Sequence, residues 1–413
     1  MWFADAGLQV VTLDDYLEGS PFDRNVFIGL LIAGCAVLIS RRRMLSNFIS
    51  GNRWLWAFFI LCGISCLWSD YAFASLKRYI KDIGNLIMVL IIITETESGQ
   101  ALKSVLSRYT YLVIPFSVLF MIYFPEFGRY YDHGSGQPVY CGITTNKNGL
   151  GQVTFICGIF LIWDFISTRN KGSGALDKLD LLMRGILLAM LIWLLKMAHS
   201  STSIVCMCIG IFLILFLNSS FGKRQIRNLG MWTMGFLFIF IIIFTIPSLL
   251  ELFTGILGRD ATLTGRTDAW LWLLKQPINP LLGSGYQSFW QTPAAAKFGE
   301  KFYFIPTQAH NGYLEVYIQT GIISLLLLLG AIVASISKLK KMLLLESTYS
   351  ILLFAYTIII LISNWTEATF NKVNILWFIL IIALLYYPKD FLTNPETDKT
   401  EPVNNTNEVV TNE

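Results

Sequence analysis

His310 stands in Gln308-Ala309-His310-Asn311-Gly312-Tyr313-Leu314-Glu315 and is one of only three histidines in the chain. Imidazole is the side chain best matched to moving a proton near neutral pH. Here it falls where a polar stretch meets an apolar one, which suggests acid–base chemistry at a membrane surface, the plain alternative being a histidine that closes a helix end. Glu315 follows one turn after Asn311 and is expected to steer the site or orient the imidazole, with Tyr313 between them. Upstream, Gly258-Arg259-Asp260-Ala261-Thr262-Leu263-Thr264-Gly265-Arg266-Thr267-Asp268-Ala269-Trp270 supplies two guanidinium groups. Arginine suits bidentate contact with phosphate oxygens. Solvated loop charge is the alternative for Arg259 and Arg266, and Asp268 is expected to pair with a neighbouring cation.

These residues need a scaffold, and the surrounding pattern describes one. Residues 250–311 form a polar loop subdomain of roughly 60 residues, and loops of that length in a compact protein are functional or disordered. Trp270, Trp272, Tyr286, Phe289, Trp290 and Tyr303 argue against disorder. Within it, Gly265–Gln276 reads as an amphipathic helix, ended by Pro277-Ile278-Asn279-Pro280, and Gly283-Ser284-Gly285 reads as a turn.

The rest of the chain is membrane-like. Of 413 residues, 54% are hydrophobic and 14% charged, with mean hydropathy +0.58, so a soluble enzyme is excluded. Apolar runs long enough to span a bilayer recur near 26–40, 54–68, 80–94, 109–124, 148–167, 185–198, 202–217, 230–249, 312–337, 347–363 and 373–387. The expectation is an all-α polytopic membrane protein of about 11 transmembrane helices. Eight spans fall within 26–249 and three within 312–387. If the Arg41-Arg42-Arg43 loop is cytoplasmic, alternation puts 18 of the 31 Lys and Arg residues inside and 12 outside, with Lys196 in a span. That bias makes the 250–311 loop extracytoplasmic. It also leaves residues 1–25 outside, an acidic segment for which a missing upstream helix is an equal reading. Residues 388–413, rich in Asn, Thr, Glu and Pro, are expected to be a disordered cytoplasmic tail. Six cysteines fall in apolar spans and read as buried thiols, while Cys141 lies in a loop without an evident partner. There is no metal-ligand spacing and no nucleotide fingerprint, which counts against an ATP-driven pump or a sugar-nucleotide transferase.

Other outward segments add polar groups. Lys77, Arg78 and Lys81 lie at the mouth of the third span, where Arg78 and Asp82 are spaced to pair on one helix face. Asn146, Lys147 and Asn148 open the fifth span, and a helix N-terminus of that kind favours anions. His199-Ser200-Ser201-Thr202-Ser203 forms a short outward turn whose small residues suit close helix packing.

Taken together, Gly258–Trp270, Pro280-Leu281-Leu282-Gly283-Ser284-Gly285-Tyr286 and His310–Glu315 resemble the shared C-terminal region of the O-antigen ligase and polysaccharide polymerase family, particularly its exopolysaccharide production proteins. Leu67-Trp68-Ser69, Lys77-Arg78, Asn146–Gly151 and Ser200–Ser203 follow in the same order, so the resemblance runs over roughly residues 19–385. It implies a membrane-embedded C-type glycosyltransferase fold in the bacterial inner membrane. The implied donor is a glycan on undecaprenyl pyrophosphate, and the acceptor a glycan or lipid-glycan. No metal, nucleotide or other cofactor, and no nucleic acid, is implied. His310 would act as the base on the acceptor hydroxyl, and Arg266, Arg78, Lys147 and Arg259 would face the pyrophosphate. Two departures stand out. Many relatives begin with a further helix, and near Ser200–Ser203 ligases commonly carry an arginine and exopolysaccharide proteins a lysine. Here the nearest cation is Lys196, a turn earlier.

Two alternatives remain from the sequence. One is transfer of the glycan to a protein side chain. The other is a transporter or flippase of lipid-linked sugars, which should place ionisable or broken-helix features at mid-membrane. Here the ionisable groups crowd the outer face.

Overall fold

The computed structural model describes residues 21–42, 44–45, 48, 51–131, 136–170, 178–232, 235, 238, 266–302, 308–345 and 347–386. Within them the protein is built of helices: α1 (Pro21–Ser40), α2 (Arg53–Ile64), α3 (Ala72–Ile93), α4 (Ser98–Tyr123), α5 (Lys147–Asn170), α6 (Lys178–Met197) and α7 (Ser201–Asn218), then α8 (Arg266–Leu274), α9 (Pro293–Phe302), α10 (Gly312–Leu344), α11 (Thr348–Thr366) and α12 (Ile375–Leu385). A small antiparallel hairpin joins α4 to α5, with Arg129 opposite Tyr140 and Tyr131 opposite Pro138.

Every expected span except 230–249 coincides with a helix, and 230–249 lies largely outside the described residues. By length and apolar composition, α4, α5, α7, α10 and α11 can cross a membrane, while α12 and the apolar parts of α1 and α2 are shorter. This is an all-α membrane protein. The acidic N-terminal stretch to residue 20, the tail from residue 387, Arg259 and Tyr303 also lie outside the described residues.

α5 is the central helix, with 78% of its apolar window buried, whereas α4, α7 and α10 bury 33% and turn the remainder outward. The one-sided helices expose Phe212, Leu215, Leu326 and Val333, as a lipid-facing surface would. Close approach of α5 to α7 depends on small residues, since a Cβ at Gly151 would run into Ser203, and one at Gly158 into Met207. Not every cysteine follows the expected burial. Cys35 and Cys208 are exposed on their helices, and Cys141, expected in an open loop, is buried with its thiol facing the Phe127 carbonyl at 3.6 Å.

α10 departs most from expectation. The pattern predicts one continuous span from 312 to 337, but the helix breaks at Gly321, where φ is +77°. Residues 280–285 fill the break. Pro280 accepts from the Ile322 amide at 2.9 Å, Gly285 donates to Gln319 O at 2.8 Å, and Ser284 donates to Ile318 O through both its amide and its hydroxyl. Side chains at Gly283 or Gly321 would collide with the facing backbone, so glycine is required at both. The turn read at Gly283–Gly285 is therefore clasped into a helix interior.

Candidate active site

Three loop-borne segments meet at one carboxylate that sequence reading did not select. Glu367 follows the last residue of α11 and is 6% exposed. Arg266, the first residue of α8, donates to Thr366 O and reaches Glu367 Oε1 at 3.3 Å. Thr366 O lies at the carbonyl end of α11, where the helix dipole favours a cation. Asn148, in the first turn of α5, donates to the same Oε1 at 2.8 Å. His310 Nδ1 lies 3.6 Å from Glu367 Oε2, an electrostatic pairing longer than a formed hydrogen bond. Burial alone would push the Glu367 carboxyl upward, but His310 and Arg266 outweigh it and hold the group below its ordinary value.

His310 is placed by its backbone. Its φ is +51°, a left-handed conformation that a non-glycine residue holds only when its surroundings impose it. Those constraints sit on both sides. Ala309 donates its amide to Glu315 Oε2 at 2.7 Å and accepts from the Trp270 indole at 2.9 Å. Asn311 caps α10, its Oδ1 accepting from the Tyr313 and Leu314 amides at 3.0 Å each. Gln308 Nε2 approaches His310 Nδ1 at 3.4 Å, and Lys372 bridges back to Gln308 Oε1 at 3.2 Å. With Nδ1 turned to Glu367, the tautomer that protonates Nδ1 leaves Nε2 as the basic atom.

Several expectations need correction. Glu315, expected to steer the site or orient the imidazole, does not pair with the ring itself. Instead it is 1% exposed and accepts from Trp290 Nε1 at 2.8 Å, Gln319 Nε2 at 2.6 Å and Ala309 N, with Lys372 at 3.7 Å. It fixes the backbone beside the imidazole. Tyr313 donates to Leu361 O at 2.9 Å and packs on Phe370, so it is a structural residue. Arg78 and Asp82 do not pair. Arg78 donates to Gln287 O and lies 3.4 Å from Gln291 Oε1, whereas Asp82 accepts from Tyr286 Oη at 2.9 Å and Trp377 Nε1 at 2.8 Å. Both contacts tie loop residues 286–291 to α3, because each side chain finds a loop partner instead of its helix neighbour. Asp268 is exposed and has no ion-pair partner among the described residues. Asn146 caps α5 by accepting from the Gly149 amide at 2.8 Å, and Lys147 is exposed at that helix end.

His310, Arg266 and Asn148 thus come together, Asn311, Glu315 and Tyr313 build the frame, Asn146 and Lys147 stand at the start of α5, and Arg78 lies in the second turn of α3 against Gln287. The turn at Ser200–Ser203 joins through Thr202, whose hydroxyl meets that of Thr366 at 2.9 Å. Lys196 is exposed in the last turn of α6. Among the described residues, no three His, Cys, Asp or Glu side chains are gathered as metal ligands. A faint signal for Glu367 existed, since a lone acid between the apolar runs of α11 and α12 is costly unless partnered.

Residues 186–329 match the family model described as O-antigen ligase, a stretch that contains Arg266, His310 and Glu315 and ends before Glu367. The exopolysaccharide production protein ExoQ of Rhizobium meliloti (strain 1021) is 28% identical over 323 residues, covering 74% of this chain and 69% of that protein. A helical membrane scaffold, an Arg–His–Glu cluster within and beside the matched stretch, and these two likenesses agree, and the chain is similar to the O-antigen ligase family.

Proposed function

We propose that this protein transfers a glycan from a lipid-linked pyrophosphate donor, undecaprenyl pyrophosphate in bacteria, to a sugar hydroxyl in surface polysaccharide synthesis. The observation that carries the reading is the convergence of His310, Arg266 and Asn148 on buried Glu367. In the reaction the acceptor oxygen forms a bond to the anomeric carbon as the bond from that carbon to the phosphate oxygen breaks. His310 Nε2 takes the hydroxyl proton, and Glu367, facing Nδ1, favours the resulting imidazolium. Charge growing on the departing pyrophosphate is met by Arg266 and by the amide end of α5, with Lys147 beside it. Arg78 and Arg259 are further donor contacts in this reading. Trp270 and Trp365, whose rings lie 6.3 Å apart beside Ala309, offer faces for sugar rings. The mechanism calls on no metal ion or cofactor.

The reading places residues 250–311 and the site outside the inner membrane, among about 11 spans. A reporter fused after Ser288 should report extracytoplasmic exposure, and a cytoplasmic signal would remove the donor chemistry. The decisive experiment is polymer formation in cells carrying His310→Ala, with membrane abundance checked. Normal protein, lost polymer and accumulated lipid-linked repeat units are expected. Unchanged polymer would make His310 structural and favour transport of lipid-linked sugars.

A further inference from the structure

Two groups of opposite kind compete for one nitrogen of His310. Its Nδ1 lies 3.6 Å from Glu367 Oε2 and 3.4 Å from Gln308 Nε2. A carboxylate accepts, and so favours a hydrogen on Nδ1 and a bare Nε2. An amide nitrogen donates, and so favours a bare Nδ1 and a hydrogen on Nε2. Neutral imidazole carries one ring hydrogen and cannot answer both. Only the first form can take a proton at Nε2, the step assigned to His310 above. The direction in which the Gln308 amide points therefore bears on how much of the protein holds a ready base.

Lys372 fixes that direction. A glutamine amide can turn either its oxygen or its nitrogen toward the ring. Lys372 Nζ lies 3.2 Å from Gln308 Oε1, and an ammonium only donates. The oxygen is thereby committed to Lys372 and the nitrogen left to His310, since the turned amide would set two donors face to face. Lys372 is held in place in its turn. It lies between α11 and α12, shortly after Glu367, and its ammonium is 3.7 Å from Glu315 Oε1. Its carbonyl accepts from Asn85 Nδ2 of α3 at 3.3 Å. The residue before it, Asn371, is buried and has φ of +57°. The Asn371 carbonyl accepts from Tyr286 Oη at 3.2 Å and from the Gln287 side chain. A left-handed conformation at a residue other than glycine persists only where its surroundings impose it. The turn therefore delivers the ammonium to Gln308 as a built contact.

We propose that Lys372 is a positioning residue for His310: by holding the Gln308 oxygen it aims the amide nitrogen at Nδ1, and so sets the balance between the two neutral forms of the imidazole. With Lys372 in place the hydrogen rests on Nε2. Without it the amide is free to turn, its oxygen then sides with Glu367, and the hydrogen moves to Nδ1. Lys372 acts through Gln308 and takes no part in bond making. The consequence for the base rests on the glycan-transfer reading, whereas the tautomer balance is a property of the protein alone.

The test uses the full chain in lipid bilayers with isotope-labelled histidine, read by solid-state NMR at a pH high enough to keep imidazole neutral. Protonated and bare ring nitrogens give well-separated signals, and correlation to the ring carbons tells Nδ1 from Nε2. The chain holds only His133, His199 and His310, so the set lost in His310→Ala assigns the signals. Wild type should show His310 mainly protonated at Nε2. Lys372→Met should shift the ratio of the two forms toward Nδ1 by about fivefold, the difference one neutral hydrogen bond makes. Lys372→Arg, which also only donates, should keep the wild-type ratio. Gln308→Leu removes the amide and should shift the ratio as Lys372→Met does, and it serves if Lys372→Met fails to fold. A merely structural lysine would change protein level without moving the ratio in the folded protein. Wild type mainly protonated at Nδ1, or an unchanged ratio in the folded variant, would overturn the proposal. Unchanged polymer in His310→Ala would remove the glycan-transfer reading and leave the tautomer result standing.

Discussion

Two buried glutamates flank His310, and they are satisfied in opposite ways. Glu315 accepts from an indole, an amide side chain and a backbone amide, with Lys372 at 3.7 Å as its one charged neighbour. Glu367 faces a guanidinium and an imidazole, with one asparagine amide completing the set. The first arrangement spends its carboxylate on fixing backbone, since each neutral donor would otherwise be buried unpaired. The second couples a carboxylate to groups that can exchange protons or meet an anion. Burial alone does not separate them. The partners do, and in the proposed reaction they make Glu315 frame and Glu367 part of the chemistry.

The largest expected effect falls on the chemical side. His310→Ala and Glu367→Gln should each lower glycan transfer by about 10²–10⁴-fold at unchanged membrane abundance. Polymer length and lipid-linked donor, measured together, would check this, and full activity in Glu367→Gln would erase the distinction between the two glutamates. Glu315→Ala should fail differently. It strands the Trp290, Gln319 and Ala309 donors at about 1–3 kcal/mol each, so protein level and unfolding temperature should collapse before any kinetic defect can be read. A well-folded, inactive Glu315→Ala protein would instead move it into the chemistry.

Arg266→Lys retains charge but loses the fork that reaches Thr366 and Glu367 together. Transfer should fall by about tenfold, mostly as weaker donor binding, which a donor titration with membranes would reveal. Acid offers a gentler probe. The Glu367 carboxyl sits below its reference value of 4.5, so its ionised form stabilises the fold fully above that value, and the contribution is lost as pH falls through the lower folded value. Wild type should therefore unfold at a higher temperature than Glu367→Gln at neutral pH, and the gap should narrow as pH falls through the lowered folded value of the carboxyl. A gap that widens on acidification would reverse the sign and contradict the pairing with Arg266 and His310. The smallest effect belongs to Asn146→Ala, which removes a helix cap and should cost about 1 kcal/mol of stability with little loss of transfer. Asn148→Ala, two residues on, should depress transfer more, because its amide touches Glu367.

Much of this division was legible before the fold was known. Apolar runs located the helices because a segment that crosses lipid must satisfy its backbone internally and cover itself with apolar side chains. His310 and Arg266 stood out as rare or costly side chains in an otherwise apolar chain. Arg78 shows the limit, since spacing pairs it with Asp82 on one helix face, yet its partner is the carbonyl of Gln287, over two hundred positions away. Gly321 shows another, for a glycine inside an apolar run gives no sign that residues 280–285 will replace its missing helical hydrogen bonds.

The sequence by itself determined a helical membrane protein, the approximate places of its described helices, and the histidine and arginine of the candidate site. Periodicity, apolar length and residue chemistry are local properties and can be read along the chain. Only the tertiary structure decided that Glu367 completes the cluster, that Glu315 supports it from behind, and that α10 is broken. Arg266 and Glu367 are 101 residues apart in sequence, and His310 is separated from Glu367 by the whole of α10 and α11. Which acid lies within reach of an imidazole depends on how helices pack, and packing is set by side chains that meet only once the chain has folded.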